Sequence, residues 1–130
     1  MSSETIRPRE HADGTGSSTI RTITYDAWRA EIALHGELDI ANAPELRAEF
    51  ALHLDAGRGV LRVDTGAVTF IDSTAIGELV KASGRCREAH GSLILTNAPA
   101  RLRQLVKIAG LEGVLLIDTA GDAAATTMPD

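Results

Sequence analysis

The chain is a sequence of 130 residues, of which 44% are hydrophobic and 24% charged, with a net charge of −5. This length suits one domain, and the acidic balance argues against a nucleic-acid partner, which usually calls for a basic excess. The single cysteine excludes an internal disulfide, and no apolar run is long enough for a bilayer span. With no apolar core near the N-terminus, we expect no secretory signal and no membrane insertion, and a cytoplasmic location.

The first half of the chain predicts a hairpin followed by a helix. Apolar and polar residues alternate over about 20–25 and again over 28–38, with only a short gap between them. Two such runs joined by a tight turn are typical of antiparallel strands. Asn42 or Asp39 is suited to cap a helix over about 42–56.

The second half of the chain alternates strands and helices. A buried strand over 59–64 continues to residue 71, and a helix is predicted over 73–89. A strand over 93–95, a helix over 99–109 and a strand over 114–117 follow. Strands separated by helices imply parallel neighbours with right-handed crossovers, so we expect a single α/β domain with a mixed sheet.

The two ends of the chain lack the large apolar residues that a folded segment needs. Residues 1–18 are therefore expected to form a flexible N-terminal tail. Residues 119–130 are rich in Ala, Thr and Asp, which predicts a C-terminal tail or a short helix. The domain itself is expected to span residues 19–118.

Enzyme signatures are absent from the sequence. There is no phosphate-binding loop and no dinucleotide fingerprint, so no cofactor is expected. We expect no metal site, because metal ligands come in clusters and the histidines are scattered surface or edge residues: His11, His35, His53 and His90. Cys86 is interpreted as a small buried thiol and Trp28 as a packing residue.

One segment stands out, because a hydrophobic strand runs directly into Asp72, Ser73 and Thr74 at the start of the second predicted helix. The first N–H groups of a helix have no internal partner, and the helix dipole is positive there. Capping accounts well for Asp72 but less well for all three polar residues.

The helical phase places Ser73 in a column with Gly77 and Gly84, where bare backbone lets another molecule approach closely. Thr74 and Glu78 fall on the polar face of the same helix. No base that could activate the hydroxyl is visible nearby. The corner is therefore interpreted as a surface that another protein reaches, and a hydrolytic enzyme using Ser73 is a much weaker alternative.

Two stretches together resemble the STAS domain, and within that family the bacterial anti-sigma factor antagonists. They are Gly36-Glu37-Leu38-Asp39 and the segment from Val68 to Thr74. The strand from Leu93 to Asn97 and the turn Leu111-Glu112-Gly113 are also similar. The resemblance implies a single STAS-like domain, with a central mixed β-sheet and helices packed mainly on one face.

The resemblance also implies a switch. In such antagonists the serine that matches Ser73 is phosphorylated by the anti-sigma factor, a protein serine kinase that supplies ATP and the catalytic base. The unphosphorylated form binds that kinase and frees the sigma factor, and a serine phosphatase resets the cycle. The resemblance places these residues on the partner-binding surface: Asp39, Asp72, Ser73, Thr74, Ile76 and Gly77.

A second function stays open at this point. STAS domains without other domains also serve as accessory subunits of membrane transporters, docked on the transporter ATPase. This chain departs from the usual Gly-Leu-Gly of the antagonists, since Ala75-Ile76-Gly77 follows the Ser-Thr pair. The extra methyl group of Ala75 bears on the identity of the partner more than on the fold.

Overall fold

A computed structural model describes residues 19–118, so the expectations for residues 1–18 and 119–130 lie outside the described residues. Within this range strands and helices follow the predicted order. The elements are β1 (Ile20–Tyr25), β2 (Arg29–Leu38), α1 (Ala43–Asp55), β3 (Val60–Ile71), α2 (Ser73–Glu88), β4 (Ser92–Thr96), α3 (Ala100–Ile108) and β5 (Leu116–Ile117). Among the helices of this range, none has the length and apolar character to span a membrane.

The strands form one mixed sheet in the order β1-β2-β3-β4-β5. β1 and β2 pair antiparallel, as expected of a hairpin, and the remaining neighbours pair parallel. Each parallel pair is joined through a helix, because a parallel neighbour can be reached only by a crossover. The expected α/β architecture is confirmed.

One face of the sheet carries the hydrophobic core. Side chains alternate between the two faces of a strand, and every second residue is buried on this side over 30–34 of β2, 61–65 of β3 and 93–95 of β4. All three helices contribute to the same core cluster, which agrees with helices packed on one face. The strands supply Ile32, Leu34, Leu61, Val63, Leu93 and Leu95, and the helices supply Leu46, Phe50, Leu79, Cys86, Leu102 and Val106.

β3 has two halves with different neighbours. The inner half, from Val60 to Asp64, pairs with β2 on one side and with β4 on the other. The outer half, from Ala67 to Ile71, pairs with β2 alone among the described strands. The register shifts between the two halves, and the outer half extends past the end of β4 while still paired with β2, and then leads to α2.

Three side chains differ in exposure from what the sequence predicts, and the first is Trp28. It was expected to pack, but 72% of it is exposed. Its backbone N–H and that of Arg29 donate to Oδ1 of Asp26, at 2.8 and 2.9 Å. These bonds close the turn of the hairpin and hold Trp28 at its tip, beyond the sheet.

The other two are polar residues that are buried. His53, expected at the surface, is 1% exposed, with Nε2 2.8 Å from Thr22 Oγ1 and Nδ1 3.0 Å from an Arg58 nitrogen. Glu78, expected on the polar face of α2, is 4% exposed and accepts a hydrogen bond from Arg47 Nη2 at 2.9 Å. Both polar groups are satisfied where they are buried, and each has one partner 31 residues away along the chain, Thr22 for His53 and Arg47 for Glu78.

Candidate functional site

The ends of β2 and β3 bring two loops together. Leu38 pairs with Ile71 at the last register position of the two strands. The N–H of Asp72 then donates to the carbonyl oxygen of Leu38 at 3.0 Å, which extends the pairing by one residue. The loop at residues 39–42 and the corner at residues 72–74 therefore lie side by side at one edge of the sheet.

Asp72 is the cap of α2. Its backbone is extended, with φ −105° and ψ 179°, and its Oδ1 accepts a hydrogen bond from the N–H of Ala75 at 3.0 Å. A carboxylate in this position satisfies one of the unpaired N–H groups and suits the positive end of the helix dipole. The capping role predicted for Asp72 is confirmed.

Ser73 is the first residue of α2 and is exposed, whereas Thr74 is half-buried. Within residues 19–118 neither side chain makes a hydrogen bond. On the next turn, a Cβ atom added to Gly77 would meet nothing within 4 Å. The open space predicted beside Ser73 is present, and its hydroxyl is accessible.

Asp39 and Asn42 fix the neighbouring loop. Asp39 Oδ1 accepts from the N–H of Ala41 at 3.0 Å, and Asn42 Oδ1 accepts from the N–H of Asp39 at 2.8 Å. Asn42 also donates from Nδ2 to the carbonyl oxygen of Glu37 at 2.8 Å. Asn42 precedes α1 but its side chain makes no cap bond. It holds the loop instead, so that Ile40 is 71% exposed at its tip.

Ile76 is placed differently from the other predicted partner-binding residues. Only 8% of it is exposed, and it belongs to the core cluster. It stands three residues after Ser73, on the turn of α2 that packs against the sheet. The side chain of Ile76 therefore supports the corner from the core side, and its expected role in partner binding stays a prediction.

The charges around the corner are unequally compensated. Arg47 donates to Glu78, and this hydrogen bond holds the pKa of the Glu78 carboxyl below its ordinary value, with Lys81 Nζ contributing from 3.2 Å. The negative charge of Glu78 is therefore neutralised locally. Asp39 and Asp72 are the acidic side chains of the two loops, and their carboxylates act on backbone N–H groups.

Two exposed apolar residues of this region were not recognised in the sequence as parts of a site. Phe70 is 48% exposed on the outer half of β3, and Ile40 is 71% exposed in the neighbouring loop. Large apolar side chains at the surface, beside polar ones, are typical of protein contact surfaces. The sequence feature that could have pointed to Phe70 is the hydrophobic segment that runs directly into the polar residue Asp72. Within residues 19–118 no group of three His, Cys, Asp or Glu side chains could hold a metal ion.

Comparisons with known proteins show the family to which the chain belongs. A family model described as "Mlab, STAS domain" matches residues 23–118. The anti-sigma-B factor antagonist of Listeria monocytogenes is 30% identical over 92 residues, which cover 71% of this chain and 81% of that protein. The protein of the same name from Bacillus subtilis is 32% identical over 85 residues, covering 65% of this chain and 77% of that protein.

Solved structures share the fold. The anti-sigma factor antagonist SpoIIAA in its unphosphorylated form superposes with a TM-score of 0.68 at 20% identity, over 81% of this chain and 92% of that one. SpoIIAA has also been solved in its phosphorylated form, with a TM-score of 0.63 over 82% and 96% of the two chains. From the family match and the curated relatives, the chain belongs to the STAS domain family and, within it, to the anti-sigma factor antagonists.

Proposed function

We propose that the unphosphorylated protein binds an anti-sigma factor that is itself a protein serine kinase, and thereby frees the sigma factor. Phosphorylation of Ser73 by that kinase ends the interaction, and a serine phosphatase restores it. The observation that carries this proposal is the state of the corner: Ser73 is exposed with its hydroxyl unengaged, while Asp72 alone caps the helix.

The phosphorylation step needs little from this chain beyond an accessible hydroxyl. Ser73 Oγ forms a bond to the γ-phosphorus of ATP held by the kinase, and the bond from that phosphorus to the bridging oxygen breaks, which releases ADP. The serine proton passes to a base on the kinase, because no His, Asp or Glu within residues 19–118 is hydrogen-bonded to Ser73. ATP dependence is also why we place this exchange in the cytoplasm.

Ser73 suits the reaction better than Thr74. Ser73 is exposed beside the bare backbone of Gly77, whereas Thr74 is half-buried. The β-branched side chain of threonine is also restricted at χ1, so it adapts less readily to a kinase active site. We therefore assign the modification to Ser73 alone.

Phosphate at Ser73 would change the surface more than the fold. A phosphoserine adds about −1.5 to −2 charge near pH 7. The N-terminus of α2 accommodates an anion, so the helix stays formed. A partner surface shaped for a neutral hydroxyl meets this charge next to Asp72 and loses affinity through desolvation and repulsion. The two solved forms of SpoIIAA support a phosphorylation switch in this fold.

We place the partner-binding surface on the two adjacent loops, within the domain of residues 19–118. Asp39 and Asp72 shape it through their backbone bonds, Ser73 and Thr74 present hydroxyl groups, and Gly77 leaves room for close approach. In this proposal the protein regulates and does not catalyse. Its partners are the anti-sigma factor kinase and the phosphatase.

The test is a phosphorylation assay with mapped products. The full chain is incubated with ATP and each anti-sigma factor kinase encoded in the same genome, and phosphopeptides are mapped by mass spectrometry. We expect phosphate on Ser73, none in Ser73→Ala, and unchanged labelling in Thr74→Val. Phosphate confined to Thr74 or to residues 1–18 would overturn the assignment. Binding to a transporter ATPase without any modification of Ser73 would favour the accessory-subunit function instead.

A further inference from the structure

An apolar groove begins directly beside the corner. It lies between the outer half of β3 and α3 and has a volume of about 400 Å³. Its apolar lining includes Val68, Phe70, Ile71, Leu102, Leu105 and Ile108. The outer half of β3 has no strand beside it on the side away from β2, which is why this groove stays open.

The groove presents large apolar side chains to the surface. Phe70 is 48% exposed and Ile108 is 75% exposed, although Leu102 beneath them is buried in the core. Leu105 and Ile108 follow Arg101 at helical spacing, so these three side chains share one stripe along α3. Ile108 and Phe70 both line the groove, and apolar side chains that form a contiguous exposed patch are typical of an interaction surface.

The charge of α3 is opposite to that of the chain as a whole. The helix carries Arg101, Arg103 and Lys107 and no acidic residue, while the chain has a net charge of −5. Arg103 is engaged, since its Nη1 donates to the carbonyl oxygen of Ala98 at 2.8 Å. The side chains of Arg101 and Lys107 make no hydrogen bond or ion pair within residues 19–118. Arg101, on the groove wall, is therefore available to an acidic group.

The groove and the corner form one continuous surface. Ile71 lines the groove and is followed directly by the cap residue Asp72 and then by Ser73. Ser73 is therefore only two residues along the chain from a residue that lines the groove. The groove is open along its length, which suits a segment of polypeptide better than a small enclosed ligand.

We infer that this groove is a second part of the docking surface for the anti-sigma factor, and that it takes an apolar segment of that protein flanked by acidic residues. The inference rests on the proposed function. The apolar lining would bury large side chains of the segment, and Arg101 would pair with one of its carboxylates. Phosphorylation at the corner would thus switch binding off, while the groove would add buried area to the interface and fix the orientation of the bound protein.

The test compares charge changes in the groove with matched changes elsewhere. The groove variants are Ile108→Glu and Arg101→Glu. The control for the first is Leu52→Glu, because Leu52 is an exposed apolar residue of α1. The control for the second is Arg21→Glu, on the exposed side of β1. Each full-length variant is titrated by calorimetry with the kinase that modifies Ser73, and melting curves confirm folding.

We expect both groove variants to bind at least about 10-fold more weakly than wild type. Both controls should stay within about 2-fold, since Leu52 and Arg21 lie outside the groove and the corner. Wild-type affinity in either groove variant would overturn the inference, while loss of binding in Ser73→Asp would leave the proposed function standing. If no kinase modifies Ser73 or binds the chain, the proposed function fails and the inference falls with it.

Discussion

The most direct test of the switch is a pair of substitutions at Ser73. Ser73→Ala removes a hydroxyl that makes no hydrogen bond within residues 19–118, and Asp72 keeps the helix cap. We therefore expect the free energy of unfolding to change by no more than about 0.5 kcal/mol. The variant should bind the anti-sigma factor at least as well as wild type, and should stay bound in the presence of ATP.

Ser73→Asp tests the charge. A carboxylate at the first position of α2 gains about 0.3–1 kcal/mol from the helix dipole, which the adjacent carboxylate of Asp72 partly offsets. The fold should therefore melt close to the wild-type temperature. At the interface the same carboxylate is desolvated without a partner, at a cost of about 2 kcal/mol, which corresponds to about 30-fold in Kd.

The assay is calorimetric titration of both variants with the same kinase, with thermal melts as the control for folding. Ser73→Asp binding as tightly as wild type would refute the argument. So would a loss of binding explained by unfolding, because the reasoning requires an intact domain with an altered surface. Ser73→Ala separates the two effects, since it changes the same position without adding charge.

Three further outcomes follow from the packing. The hydrogen bond from Arg47 lowers the pKa of the Glu78 carboxyl in the folded protein below its ordinary value of 4.5. The free energy of unfolding should therefore fall as the pH drops below 4.5, because acidification removes the ionised form that the folded state favours. Glu78→Gln should flatten this dependence in urea titrations between about pH 6 and pH 3, and an unchanged slope would contradict a stabilising ion pair between Glu78 and Arg47. Burial raises the pKa of the Cys86 thiol to about 11. A thiol reagent at about pH 8 should therefore modify Cys86 far more slowly in the native protein than in the urea-unfolded chain, and equal rates would show that the thiol is not protected. An added Cβ at Gly91 would overlap the carbonyl oxygen of Gly59, so Gly91→Ala should lower Tm by about 10 °C or more. Gly84→Ala, with open space inside α2, should instead stabilise the domain by about 0.5–1 kcal/mol, and melts of equal temperature for the two variants would count against the reasoning.

The course of the chain could be predicted because its signals are local. Asp72 predicts the start of α2 correctly, because the helix begins at the next residue. Gly57 ends the turn after α1 with φ +90°, a backbone conformation that favours glycine. The alternation along β2 predicted a strand, and the buried residues of that strand follow the same alternation from Ala30 to Leu34. The last strand was predicted over 114–117 but is formed only by Leu116 and Ile117, because the N–H groups of Val114 and Leu115 donate to the carbonyl oxygen of Leu111 and keep these two residues in a turn.

The buried polar residues could not be predicted, since their partners lie far away along the chain. Glu78 and His53 are each bonded to a side chain 31 residues distant, and a helical projection shows only near neighbours. The groove was missed for the same reason. Its exposed members Phe70 and Ile108 belong to different elements, and each looked like an ordinary apolar position within its own pattern.

The two halves of β3 differ in how readily their amide hydrogens should exchange with solvent. Amides between β2 and β4 are released only when much of the domain opens, because both neighbouring strands hold that half. Amides of the outer half are held by β2 alone, so a smaller local opening frees them. The amides of the segment that leads to Ser73 should therefore exchange through local openings that cost less free energy than global unfolding. A binding partner or a phosphoryl group can alter its fluctuations while the core of the sheet stays closed.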